Sequence, residues 1–403
     1  MARRMGIGRN GCIQLTPGNH NRPVAHAFFF LASGVWNFGL GMTWLVVPLY
    51  AHSQGLSNAE IGLLFAIPVL AQAPLNLLGG AYTDRIGGRR IMLGSCLVSV
   101  AAGLWFVGAQ GFWMLLAGQL ALVLSRAAFW PATWAMASEL PGARGMHLGR
   151  LNAVTNLGQI LGTSVCGFLL AFAGYTATFL ALGATGLAAY AAGFVTPHAP
   201  HKAQAAPKSL LAAYRPLFGR PIIVYSMVCA YLSALPFSLT LSFYPLFLVF
   251  YGHAEDVSGV ILALRGIGSI AASLFAAHLV RTGPDTLWPV ACGVAVAIAV
   301  ALMPVINHAV PIGFWMLVLG AGSAAMTIYF QITISEASGP ESRGAALALG
   351  GLGWSVSHMS TPLLLGFLAD RIGLVNGFYV LGALALLTAI ALGFMRHWAF
   401  AKR

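Results

Sequence analysis

The sequence predicts an all-α integral membrane protein, with twelve transmembrane helices in two pseudo-symmetric six-helix bundles. Three observations carry this reading: a composition suited to lipid, twelve apolar runs of membrane-crossing length, and an internal repeat that maps the first six runs onto the last six.

Of the 403 residues, 59% are hydrophobic and only 7% are charged, and the mean hydropathy is +0.82. A soluble domain carries charge on roughly a quarter of its residues to cover its surface, so lipid is the expected solvent. All nine acidic residues fall at or beyond the ends of apolar runs. The net charge of +12 does not mark a nucleic-acid binder, because the basic residues lie scattered between apolar runs and form no patch. Five cysteines without paired spacing imply neither a disulfide framework nor a metal site. With no nucleotide-binding loop and no nucleophile–base constellation, the chain is read as a non-enzyme without cofactors.

The apolar runs cover 26–50, 59–82, 90–110, 112–137, 149–172 and 176–196, then 221–250, 256–280, 286–305, 311–335, 344–368 and 374–395. Each is long enough to cross a bilayer as a helix, which takes about 20 residues. Residues 1–25 are basic and polar and read as a cytoplasmic tail, not as a signal peptide. The interval 197–220 is rich in Pro, Ala, Lys and His and reads as a cytoplasmic linker between the six-helix bundles 26–196 and 221–395, with a second tail at 396–403. If both termini are cytoplasmic, 18 of the 21 Lys and Arg lie in inside segments, against Arg371 alone outside. The positive-inside rule then fixes a multi-pass orientation in the cell (inner) membrane with both termini cytoplasmic.

The repeat is legible residue by residue. Pro48-Leu49, Gly55 and Gly62 recur 197 positions later as Pro245-Leu246, Gly252 and Gly259. Ser138-Glu139 recurs as Ser335-Glu336, after which the offset becomes 199 and pairs Gly167-Phe168-Leu169 with Gly366-Phe367-Leu368. One offset held across so many spaced positions points to duplication of a six-helix unit.

Between runs two and three stands Gly80-Ala81-Tyr82-Thr83-Asp84-Arg85-Ile86-Gly87-Gly88-Arg89-Arg90. It resembles the signature loop of the major facilitator superfamily of secondary transporters, in position as well as in sequence. Gly80 permits close approach of a helix, Gly87 turns the chain, and Arg85, Arg89 and Arg90 suit the cytoplasmic face. The resemblance implies alternating-access movement of a small-molecule substrate, with Asp84 acting as a conformational latch on the positive end of a helix of the other half. The stretch Leu368-Ala369-Asp370-Arg371-Ile372-Gly373 looks like a second copy but falls at the opposite membrane face. The topological counterpart is 277–287, where Arg281 stands opposite Asp84 and Pro284 opposite Gly87, so the second latch is degenerate there. Arg126-Ala127-Ala128-Phe129-Trp130 keeps only the Arg of the family's fourth-span pattern. Thr163 replaces the Gly-Pro usual in drug–proton antiporters.

Arg126 and Arg265 fall inside runs four and eight, with no acid near the middle of any run. A charge at the bilayer centre costs about 2.5–3.5 kcal/mol even on the insertion scale, which points to a cavity and to an anionic substrate. Asn152, Asn156, Gln159 and Thr163 follow helical spacing on run five, and the repeat sets Ser355 opposite Asn156 and His358 opposite Gln159. Gln72 and Asn76 on run two pair with Ser269 and Ser273 on run eight. Trp130 and Trp354 stand one turn from Arg126 and His358 and are candidate walls for an organic solute. The same polar stripes also serve as helix–helix glue. Three readings stay open at this point: a carrier of a small organic anion, a proton-coupled exporter of drugs or amphipathic compounds, and a solute sensor that does not transport. The expected partners are the substrate, a coupling proton or exchanged anion, and the lipid bilayer, with the chain acting as a monomer.

Overall fold

A computed structural model describes residues 22–141, 144–196, 217, 219–279, 287–338 and 343–401. The tail before Arg22, nearly all of the 197–220 linker and the Arg281–Pro284 stretch lie outside the described residues. The helices are α1 (Arg22–Ser53), α2 (Asn58–Ile86), α3 (Gly88–Gly108), α4 (Gly111–Glu139), α5 (Arg144–Gly193), α6 (Pro221–Leu241), α7 (Tyr244–Phe250), α8 (Glu255–Leu279), α9 (Trp288–Leu302), α10 (Ala309–Ala337), α11 (Arg343–Ile372) and α12 (Leu374–Phe400). Nine stretches among the described residues are long and apolar enough to cross a membrane. The longest, in α5, makes two crossings, because Gly174 breaks it with φ +76°. The described apolar stretch of α2, Asn58–Gln72, is shorter, and α2 and α11 face each other across the halves.

Two departures from the predicted runs stand out, and the first has a local cause. The run 221–250 is two helices, α6 and α7, parted at Ser242 (φ −126°, ψ −69°). Pro245 lacks an N–H, and its ring would collide with the carbonyl of residue 241 in a continuous helix. The Ser242 hydroxyl donates to the Ser238 carbonyl at 2.7 Å and satisfies one freed acceptor. Its repeat counterpart Pro48 lies inside an unbroken α1, so the duplicated proline does not duplicate the break. At the other boundary, α12 continues to Phe400, through most of the segment read as a tail.

Within the first half α1 lies along the first crossing of α5 so closely that a Cβ on Gly41 would come within 2.2 Å of the Gln159 carbonyl oxygen. Between the halves, α2 packs on α11 and the first crossing of α5 packs on α8. The repeat interchanges these two pairs. The contacts lie where Asn58 meets Gly366, Gly62 meets Pro362, Thr163 meets Gly259 and Gly167 meets Glu255. All four belong to the end of the bundle that the charge distribution assigns to the outside. Toward the other end α5 and α8 line the two sides of a widening space.

Candidate functional site

That space is a cavity of about 590 Å³, lined along α5 from Gly149 to Thr163 and along α8 from Leu274 to Leu262. At 1.5 Å per residue it extends roughly 20 Å along the helices. Asn152, Asn156, Gln159 and Thr163 supply one wall, and Arg265, Ser269 and Ser273 of α8 supply the facing one. Trp44 of α1, Phe237 of α6 and Trp354 of α11 add an aromatic surface, and among the described residues no acid lines the cavity.

The polar stripe on α5 both lines the cavity and stitches helices. Gln159 donates its amide N–H to Asn37 Oδ1 at 2.8 Å, and Thr163 donates to the Gly41 carbonyl at 2.9 Å. Asn156 donates to the Asn152 carbonyl one turn back at 2.8 Å. On the facing wall Ser269 donates to the Gly320 carbonyl at 3.0 Å, which ties α8 to α10. Ser273 donates to Ser269 at 2.7 Å. Gln159, Thr163 and Ser269 thus line the cavity and join helices, whereas the bonds of Asn156 and Ser273 stay within their own helices.

Arg265 is only 6% exposed, and its buried Nε has no hydrogen-bond partner among the described residues. The guanidinium lies over Phe237, with Cζ 4.8 Å from the ring centroid, and 5.8 Å from Trp44. A desolvated cation–π contact returns about 2 kcal/mol, which offsets part of the cost of holding the charge in the membrane. Phe237 packs edge-on to Trp44 at 5.0 Å and against Trp354 at 5.8 Å. Trp354 stacks on His358 at 5.2 Å and donates its indole N–H to Ser233 Oγ at 2.9 Å. His358 Nδ1 lies 2.8 Å from the Trp354 carbonyl. A carbonyl only accepts, so Nδ1 carries the proton and Nε2 is the atom free to titrate.

Arg126 does not share Arg265's chamber. It is half-buried, its Nε also lacks a partner among the described residues, and it lines pockets of about 10 and 30 Å³. The larger of these also holds Gln72, Gln119, Ser238 and His358, and has room for about two waters. Trp44 lines both this pocket and the large cavity, so the aromatic cluster stands between the two cations. The repeat explains the arrangement. An offset of 197 pairs Arg126 with Ser323 and Arg265 with Pro68, and each uncharged counterpart lines the other arginine's space.

Of the other candidates, Trp130 packs among Trp36, Phe129 and Trp134. Ser355 is half-buried on α11, and neither residue lines these spaces. In the signature loop Gly87 has φ +92° and donates its N–H to the Thr83 carbonyl at 3.1 Å. Arg89 donates to the carbonyls of Gly193 and Phe194 and so caps the end of α5, while Arg85 and Arg90 are exposed. Gly80 and Asp84 have helical backbone, and beyond that they lie outside the described residues. Trp44 and Phe237 are cavity residues that the sequence pattern does not single out, since an aromatic in an apolar run looks the same whether it faces lipid or a cavity.

Two six-helix halves around a central cavity, with no acid among its described lining residues, define a multi-pass helical solute carrier. A family model described as Major Facilitator Superfamily matches residues 29–319, and the chain belongs to that superfamily. Quinolone resistance protein NorA of Staphylococcus aureus (strain MRSA252) is 26% identical over 354 residues, 82% of this chain and 86% of NorA. The human MFS-type transporter SLC18B1 is 26% identical over 423 residues, 96% of this chain and 90% of its own length. Among solved structures, a bacterial homologue of the human lysosomal transporter Spinster superposes with a TM-score of 0.78 at 16% identity, covering 96% of this chain and 98% of its own. The nucleoside transporter NupG gives 0.76 at 12% identity, covering 92% and 98%. These neighbours share the twelve-helix fold.

Proposed function

We propose that this transporter moves a small organic anion with a flat apolar body by alternating access, with Arg265 as the anchor for the acid group. The observation that carries the reading is Arg265 itself, held over Phe237 and Trp44 with its Nε unpaired among the described residues, in a cavity whose described lining residues include no carboxylate. An acid group would take the free edge of the guanidinium while Trp354 and Phe237 pack the body. Asn156 and Gln159 offer polar contacts from the opposite wall. Arg126 and His358 form the smaller polar site beyond the aromatic cluster, where His358 Nε2 would take up a coupling proton. With the termini cytoplasmic, as the arginine and lysine asymmetry supports, the cavity belongs to the cytoplasm-facing state.

The similarity to NorA favours a second reading, export of amphipathic drugs, and the two readings differ in the charge that the substrate carries. Proteoliposomes holding the purified protein are offered a panel of aromatic carboxylates and lipophilic cations, with and without a proton gradient. Saturable movement of the carboxylates is the expected result. Movement of the cations alone rejects the anion assignment and supports drug export.

A further inference from the structure

α2 begins with three consecutive N–H groups that no turn of its own can satisfy. Ser57 and Glu60 form a reciprocal capping box that takes the Glu60 N–H and the Ser57 N–H. The remaining two donors are met from the other half of the molecule. Asp370, at the end of α11, accepts from the Asn58 N–H at 3.0 Å, the Ala59 N–H at 2.8 Å and the Asn58 side-chain amide at 2.9 Å. The partners are more than 300 positions apart in the chain. Flanking small residues bring the backbones together: a Cβ on Gly366 would lie 2.3 Å from the Asn58 carbonyl oxygen, and one on Gly62 would lie 2.4 Å from that of Pro362.

The residues around Asp370 read Gly366-x-x-x-Asp370-Arg371-x-Gly373, with the same spacing as Gly80-x-x-x-Asp84-Arg85-x-Gly87 at the end of α2. α2 and α11 thus each end in the same pattern, and their C-termini lie at opposite ends of the bundle. We propose that Asp370 is a second latch, which holds the halves together at the expected outer end by binding the first turn of α2, and that it opposes the latch at Asp84. The location that separates this stretch from the superfamily signature is what gives it a helix start to bind. A carboxylate on the first turn of a helix is held both by the N–H groups and by the positive end of the helix dipole. Opening the outer end must break all three bonds and leave those donors to water. The proposal rests on alternating access but not on any assignment of substrate.

The test reads the outer end directly. Spin labels at Gln54 and Asn307, exposed in the α1–α2 and α9–α10 loops of the two halves, report the population with separated outer ends in the purified full chain without substrate. Asp370→Asn is expected to raise that population about fivefold or more, Asp84→Asn to lower it, and the double variant to return it toward wild type. Asn58→Pro removes two of the three donors at a helix position that accepts proline, after a Ser57 already extended at ψ 159°. It should act like Asp370→Asn, which covers the case in which the latter variant fails to fold. Populations unchanged in both Asp370→Asn and Asn58→Pro, or shifted in the same direction by Asp370→Asn and Asp84→Asn, would overturn the proposal. Solute movement by the wild type, measured in parallel, tests the transport reading separately.

Discussion

Gly167 of the first half rests on the backbone of Glu255 in the second, so closely that a Cβ there would lie 2.3 Å from the Glu255 carbonyl oxygen. Backbone cannot give way as a flexible side chain can. Gly167→Val should therefore wedge the α5–α8 contact and favour the state in which it is parted. Overpacking of this kind costs about 1–3 kcal/mol, a population shift of roughly five- to 150-fold. Distances between labels on the two halves at that end should lengthen while the melting temperature changes little, because the parted state relieves the clash. An unchanged distance distribution would mean that the contact does not take part in the transition.

Arg265→Gln should weaken binding of an anionic substrate by about tenfold or more, since it removes a charge-assisted interaction of about 1.5–3 kcal/mol. Arg265→Lys should restore little of it, because an ammonium has neither the flat face that lies on Phe237 nor the two-pronged edge. Arg126→Gln should have the smaller effect on binding, given its separate pocket. Titration of folded variants by calorimetry decides. Normal binding by both glutamine variants, or a preference for cations, removes the anion reading.

Ser233→Ala should cost about 1–3 kcal/mol, because it leaves the Trp354 indole N–H without its acceptor. The loss is read as a lower melting temperature. In Ser233→Ala combined with Trp354→Phe the two losses should fall short of additive, by about 0.5–1.5 kcal/mol. Strict additivity would show that the hydrogen bond contributes nothing to the arrangement of the aromatic cluster.

A cysteine placed in the 197–220 linker should resist an impermeant reagent added outside intact cells and react once the membrane is opened. Labelling from outside would invert the orientation drawn from the basic residues, and with it the side to which the cavity opens.

The extent to which sequence foretells this molecule follows from what each signal depends on. Helices are legible because a bilayer demands a continuous apolar run, and the glycine turn at Gly87 because few other residues adopt its φ. The α6–α7 break is legible only in part. Pro245 announces it, yet Pro48 at the equivalent position sits in an intact helix, since the outcome depends on what packs around the ring. The repeated glycines at 62, 167, 259 and 366 stand out in the sequence as a pattern without a role, and the fold gives them one at the seam between the halves. The separation of Arg126 from Arg265 is illegible, because it is made by Trp44 and Phe237, two aromatics from different halves whose meeting no local pattern records. Asp370 was visible as a motif, but its partner is a helix start more than 300 residues away.

The outer seam combines small-residue crossings, an apolar contact of α1 with α7 and one surface carboxylate. For alternating access its strength has to be of the order of a single ligand's differential affinity. Moving a two-state equilibrium from 1:99 to 99:1 takes about 5.5 kcal/mol, within reach of one well-bound solute and a few altered contacts. A seam much stronger than that would trap the protein on one side of its cycle, whereas two states close in free energy let the cargo itself act as the switch.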